Sequence, residues 1–379
     1  MSFPSLTIGN IVAKMPIIQG GMGVGISLHR LAAAVAAEGG IGVIAGAMIG
    51  MRESDVAQDP IGANQRALTS EIRKARELTD GVIGVNIMVA LTDFASLVRT
   101  AISERADVIF SGAGLPMELP KIWREMCDER KEDFRTCLVP IVSSARAATI
   151  ICKKWLTRSG YMPDAFVVEG PKAGGHLGYK ADEIDSPDNA LEKIVPEVID
   201  AVKAFEDRAG RLIPVIAAGG VYSGEDIHSF LKMGAAGVQM GTRFVATEEC
   251  DADIRFKQAY VAAQKDDIAI IKSPVGMPGR AIKGRFIEAM EEGKKNFNCI
   301  FHCINTCNPE KSPYCIAAAL LNAMKGNLER GFAFSGANVF RVDSITTVRE
   351  LMSSLQREFD AAMDQVGLNF DSAMARLKA

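Results

Sequence analysis

Eight short apolar runs without polar alternation recur along the first 244 residues. They are PIIQG from Pro16, IGVIAG from Ile41, VIGVNIM from Val82, DVIFSG from Asp107, CLVPIVS from Cys137, AFVVEG from Ala165, IPVIAAGG from Ile213 and GVQMGTRF from Gly237. A strand with one face in water alternates between polar and apolar residues. A run that does not alternate is buried on both faces, as in a parallel sheet covered by helices. Helical candidates fill the gaps: LHRLAAAVAAE, ANQRALTSEIRKARELT, DFASLVRTAISER, LPKIWREMC, ARAATIICKKWLTRSG, ALEKIVPEVIDAVKAFEDRAG and SGEDIHSFLKMG. Eight strands with a crossover helix between each pair is the count of a (β/α)8 TIM barrel. A doubly wound open sheet is the rival, but no G-x-G-x-x-G turn follows the first strand.

The barrel is expected to occupy residues 1–244. After Phe244 the pattern changes, and residues 245–379 read as an added helical lobe capping the substrate side. Its irregular pieces include IIKSPVGMPGRAI and FAFSGANVFRV. The segment SITTVRELMSSLQREFDAAM fits an amphipathic helix packing back on the barrel. Composition is 48% hydrophobic and 23% charged, which suits a large core. A net charge of −3 with no basic stripe argues against nucleic acid and anionic membranes as partners. The first residues lack a signal-peptide pattern. The most apolar stretch is broken by Glu38 and several glycines, so no membrane span is expected. Eight cysteines in such a chain suggest reduced thiols and a cytoplasmic setting.

Active sites of these barrels lie at the C-terminal strand ends. Here those ends read QGGMG, AGAM, NIMV, SGAG, SSA, EGPKAGGHLG, AGGVYSG and MGTRF. So many small residues build a shallow floor of main chain, suited to a large flat ligand. Gly219-Gly220 and Gly241-Thr242 fall on the last two strand ends, where barrels often hold phosphate. A planar, phosphorylated cofactor answers both demands, and FMN is one. The bland reading is that the glycines only make tight turns. His176 sits in the glycine loop EGPKAGGHLG, where it either acts as the acid–base group of the site or bonds to backbone alone.

The motifs PIIQGGM, GVNIMV, AGGHLG, IPVIAAGG and GVQMGTRF span residues 16–244 in order. On them the chain resembles the flavin-dependent nitronate monooxygenases, once called 2-nitropropane dioxygenases, and the related flavin-dependent enoyl-acyl carrier protein reductases. The resemblance implies FMN as cofactor. It implies that the Gly21-Met22 backbone lies against the flavin ring, that Asn86 bonds the ring or ribityl chain, and that Gly174 allows close approach. Gly219, Gly220, Gly241 and Thr242 would hold the phosphate, with Gln239 entering the same strand end and His176 at the reactive face. The chain departs from the pattern at one loop. Glu169, counted with the cofactor-side residues, matches the enoyl reductases, where many nitronate monooxygenases carry Gln. Lys172 stands where both groups often carry an acid, and with Glu169 it offers a simple loop ion pair. The implied activity is oxidation of alkyl nitronates or nitroalkanes, small-molecule substrates, with O2 reoxidising the flavin. NAD(P)H-dependent reduction of an enoyl thioester or quinone is the alternative. A non-catalytic flavin sensor is a rival of another class, and a homo-oligomer is left open.

Cys299, Cys303, Cys307 and Cys315 form a separate cluster in NCIFHCINTCNPEKSPYC, beside His302. The first three are spaced by four, which predicts one helical face, with Pro309 and Pro313 turning Cys315 back toward it. Zinc or an iron–sulfur cluster is an alternative here, but the spacing matches no standard C-x2-C pattern. A buried face of small apolar thiols is the favoured reading.

Overall fold

The computed structural model describes residues 3–377 apart from 294–296, 298 and 300, with side chains to residue 364. All eight apolar runs are strands: β1 Ile17–Gln19, β2 Ile41–Ala45, β3 Val82–Met88, β4 Val108–Gly112, β5 Cys137–Val142, β6 Phe166–Glu169, β7 Val215–Ala218 and β8 Gly237–Met240. They pair in parallel around a closed ring. β8 returns to β1 with Val238 opposite Ile17 and Gln239 opposite Ile18. Helices α1 His29–Ala37, α2 Pro60–Leu78, α3 Phe94–Ser103, α4 Leu119–Arg130, α5 Ala145–Ser159, α6 Leu191–Lys203 and α7 Gly224–Lys232 follow β1 to β7 in turn. A long last helix, α8 Val348–Leu377, packs against α7 and α1.

Local chemistry starts and stops these helices where the strand ends need them. Asp59 accepts from Gly62 N ahead of Pro60 in α2, and Ser144 caps α5, which Gly160 ends in a left-handed turn. Ser223 and Asp226 form a reciprocal capping box on α7. Inside the ring, Ile18, Val43, Phe110, Val139, Val167 and Ile216 fill the barrel. An N-terminal hairpin of Leu6–Ile8 and Ile11–Ala13 adds Leu6, Ile8 and Ala13 to this core. The thiol of Cys137, the first residue of β5, donates to Ile8 O at 3.4 Å, so the hairpin closes the end opposite the glycine loops. A second layer, including Leu31, Leu68, Val98, Trp155 and Val195, fills the space between strands and helices.

The chain between β8 and α8 lies over the C-terminal strand ends. It holds helices at Ile254–Ala262, Arg285–Glu291 and Ile316–Met324. The stretch IIKSPVGMPGRAI, read above as irregular, is instead a β-hairpin: Ile268–Lys272 pairs antiparallel with Pro278–Ile282. Two prolines hide it in the sequence. Pro274 lies in the turn and Pro278 opens a strand, positions where a missing N–H is tolerated. The second strand also pairs with Gly175–His176, making a three-stranded sheet, and Ala281 bridges Phe334.

The expected helical face of cysteines is not formed. The described residues from Phe301 to Cys315 are loop, with Ile304 bridging Leu91 and His302 at φ 42. Asparagines and prolines favour turns here over a helix. Cys303 and Cys315 pack on an apolar group of Val24, Met48, Met51 and Ala317. All eight cysteines are free thiols, and burial, with the neighbouring thiols, pushes Cys303 up to about 12. Among the described residues no three His, Cys, Asp or Glu side chains are grouped to hold a metal ion, and no helix is long and apolar enough to cross a membrane.

Candidate active site

A cavity of ≈ 470 Å³ opens at the C-terminal ends of the strands, and every strand end contributes to its wall. It is lined by each residue singled out above: Gly21 and Met22 after β1, Asn86 on β3, Glu169 ending β6, Gly174 and His176 in the next loop, Gly219 and Gly220 after β7, and Gln239, Gly241 and Thr242 around the end of β8. The floor is main chain for a definite reason. The Asn86 side chain crosses Gly21 so closely that a Cβ there would sit 2.3 Å from Asn86 Cβ. Gln239 lies over Gly20 in the same way, its Cγ 3.3 Å from where a Cβ would be. Gly174 also permits a close approach, but to protein: a Cβ would lie 2.5 Å from the carbonyl carbon of Ser335.

His176 is held on three sides. Its backbone pairs with Gly279 of the hairpin, and Leu177 N donates to Pro278 O at 2.9 Å. Its ring meets the Phe334 ring edge-on at 5.0 Å. Its Nε2 is 2.6 Å from Ser273 Oγ. Burial pulls the imidazole pKa down to about 4, so the ring is neutral at ordinary pH. The loop before it is fixed by Arg280, a buried cation whose Nη1 donates to the carbonyls of Pro171 and Ala173. The sequence reading named none of Ser273, Arg280 and Phe334. A signal for the first two was present: two β-rich runs around a Pro/Gly turn spell a hairpin.

Glu169 and Lys172 do not pair with each other. Among the described residues the Glu169 carboxylate has no ion-pair partner, and burial alone raises it to about 7. Lys172 is exposed, lines the cavity, and has no ion pair among the described residues. Its methylene stem runs across Gly220, at the β7 end of the site. Nearby, Gly336 N donates to Thr242 Oγ1 at 3.2 Å, and Asn338 Nδ2 donates to Gly220 O at 2.7 Å. Ser335 also lines the cavity, and its hydroxyl is buried without a hydrogen-bond partner among the described residues. An orphaned hydroxyl and a free cation beside glycine loops at β7 and β8 suit a phosphorylated ligand.

A protein-family model described as nitronate monooxygenase matches residues 5–358. A (3aS,4S,5R,7aS)-5-hydroxy-7a-methyl-1-oxo-octahydro-1H-indene-4-carboxyl-CoA dehydrogenase from Mycobacterium tuberculosis is 30% identical over 280 residues. That match covers 74% of this chain and 66% of the relative, so the chain spans just under two thirds of that protein's length. A probable nitronate monooxygenase from Staphylococcus aureus is 26% identical over 319 residues, covering 74% of this chain and 78% of the relative. The solved structure of FabK from Thermotoga maritima matches with a TM-score of 0.70 at 29% identity, over 93% of this chain and 95% of that one.

Proposed function

Since the chain belongs to the nitronate monooxygenase family, whose members are flavin-dependent oxidoreductases, we propose that it binds FMN and oxidises alkyl nitronates, with O2 as the final electron acceptor. One observation carries this reading: a single cavity gathers the glycine loops of the strand ends and one half-buried histidine. Bound FMN would supply two-electron redox chemistry. The chain's own residues have separable tasks. Gly219, Gly220, Gly241 and Thr242 hold the phosphate end, with the Ser335 hydroxyl and Lys172 beside them. The Gly21-Met22 backbone receives the ring system, and Asn86 and Gln239 offer amide groups to its polar edge. The lobe residues Tyr260, Met277 and Phe334 cover the site and exclude water. His176 is the polar group that meets the substrate: it holds the nitro oxygens or takes a proton from the carbon of a neutral nitroalkane.

Reduction of an enoyl thioester with NAD(P)H is a second reading, and Glu169 favours it. A carboxyl raised to about 7 is largely protonated below that pH and donates a hydrogen bond, as the carboxylic acid of an enoyl reductase-like site would. Anaerobic mixing of the purified protein with nitronate, NADH and NADPH in turn separates the readings. Bleaching of the flavin by nitronate alone supports the first, and rapid bleaching by NADH or NADPH supports the second. A colourless protein that cannot be loaded with FMN removes both. His176→Ala is expected to retain flavin and to slow reduction by substrate about 10²–10⁴-fold.

A further inference from the structure

Two roles were left to His176 above, and its contact with Ser273 separates them. We propose that Ser273 is a positioning residue that fixes His176 as a hydrogen-bond donor toward the cavity, so that the site favours substrates already carrying an anionic or strongly polarised oxygen over those that must first lose a proton from carbon. The proposal rests on the reading of His176 as the substrate-facing group.

The argument is a count of protons. The Ser273 hydroxyl has one proton to give and lone pairs to receive. It is buried, and it already accepts from Val275 N at 3.3 Å. Among the described residues its one hydrogen-bond neighbour besides that amide is His176 Nε2, at 2.6 Å. If Nε2 carried the ring proton, the serine would accept twice and its own proton would be buried without an acceptor, which folded proteins avoid. If the serine donates to Nε2, every group is satisfied, and the single proton of the neutral ring sits on Nδ1. Among the described residues that nitrogen has no hydrogen-bond partner, and since His176 lines the cavity we assign Nδ1 to face it. Burial keeps the ring neutral, so no second proton upsets the count. The backbone pairing with Gly279 and the edge contact with Phe334 keep the ring from turning over. An Nδ1–H can stabilise charge on a nitro or thioester oxygen, as a neutral imidazole does in other barrels. It cannot accept a proton from carbon.

The test reads the tautomer directly. The chain has four histidines, so 15N-histidine labelling of the flavin-loaded protein gives few ring signals, and His176→Gln assigns its pair. The expected result is a neutral His176 with Nδ1 protonated, retained in Ser273→Thr and lost or mixed in Ser273→Ala. In kinetics, the wild type should prefer a preformed nitronate over its parent nitroalkane by about 100-fold or more, and Ser273→Ala should narrow that ratio. A wild-type His176 protonated on Nε2, or a wild type that uses both forms equally, overturns the proposal. The tautomer is read without substrate, so a protein that ignores nitronates would end the functional reading while leaving the Ser273 result to stand or fall alone.

Discussion

The floor and the cover of the cavity are built by opposite means. The floor, made of barrel strand ends, presents mostly main chain, and its side chains matter chiefly where they must be missing. The cover, made by the chain between β8 and α8, presents side chains: Tyr260, Met277, Phe334 and Ser335, with Ser273 behind His176. On the proposed reading the floor would receive what FMN carries, a flat ring and a phosphate. The cover would then meet the part that changes from one substrate to another. A family built so could keep the first and vary the second, and the chain's similarity to proteins named for different activities fits that division.

The largest expected effect is on the floor. Gly21→Ala puts a Cβ 2.3 Å from Asn86 Cβ, with no flexible tip to yield. Overpacking of this kind costs about 1–3 kcal/mol, and here it also lifts the surface meant for the ring. The variant should be purified without flavin and should resist loading, as absorbance at visible wavelengths will tell. Gly284→Ala is the control, since it lies outside the cavity lining and its Cβ would meet nothing within 4 Å. If both variants keep their flavin, the floor does not depend on bare main chain and the contrast fails.

A smaller effect belongs to Lys172, which reaches over the floor from the β6 loop. Lys172→Met should weaken FMN about tenfold, the value of a charge-assisted contact, and leave riboflavin unchanged. Fluorescence titration of flavin-free protein with both ligands decides it, and the difference should shrink in high salt. Equal losses for FMN and riboflavin would show that Lys172 shapes the loop and does not meet a phosphate.

The smallest effect is a pH dependence that sets a floor group against a cover-held one. Glu169 goes from an ordinary 4.5 to about 7 on folding, so the folded protein keeps a proton that the unfolded chain has lost. Its contribution is full at acid pH and is lost as pH rises through 7. His176 goes from 6.5 to about 4, so its contribution runs the other way and grows as pH rises from 4 to 6.5. In flavin-free protein the two slopes oppose. Glu169→Gln removes the falling one, so its Tm should equal that of the wild type near pH 4.5 and exceed it by a few degrees above pH 7. A constant offset across that range would mean that the carboxyl is not buried in its neutral form.

The same contrast explains what could be read from the sequence. Buried parallel strands announce themselves as unbroken apolar runs, and VIGVNIM from Val82 is a strand over the same residues. Most helices lie within a residue or two of the runs expected for them, but α2 begins at Pro60, ahead of Ala63, α4 runs past Cys127 to Arg130, and the long run from Ala190 is broken at Ala204–Phe205 into two helices. Floor residues were legible because each glycine motif is local to one strand end. Ser273 was not, because it meets His176 across 97 residues of sequence, and no local pattern carries such a contact. The cysteines misled for the converse reason. A spacing of four means a shared face only if the backbone is helical, and from Phe301 to Cys315 it is loop.

The pairing of Gly175–His176 with the hairpin has a consequence for how defects will present themselves. The histidine's own amide rungs belong to a sheet whose other two strands come from the cover. Local opening of that sheet and loss of the aligned imidazole are then one event with one free energy. A substitution far out in the cover, touching neither ligand nor histidine, will lower the fraction of molecules with His176 in place. In a rate assay it will look like an active-site lesion, although in hydrogen exchange it will look like fraying at Leu177, whose amide donates to Pro278 O.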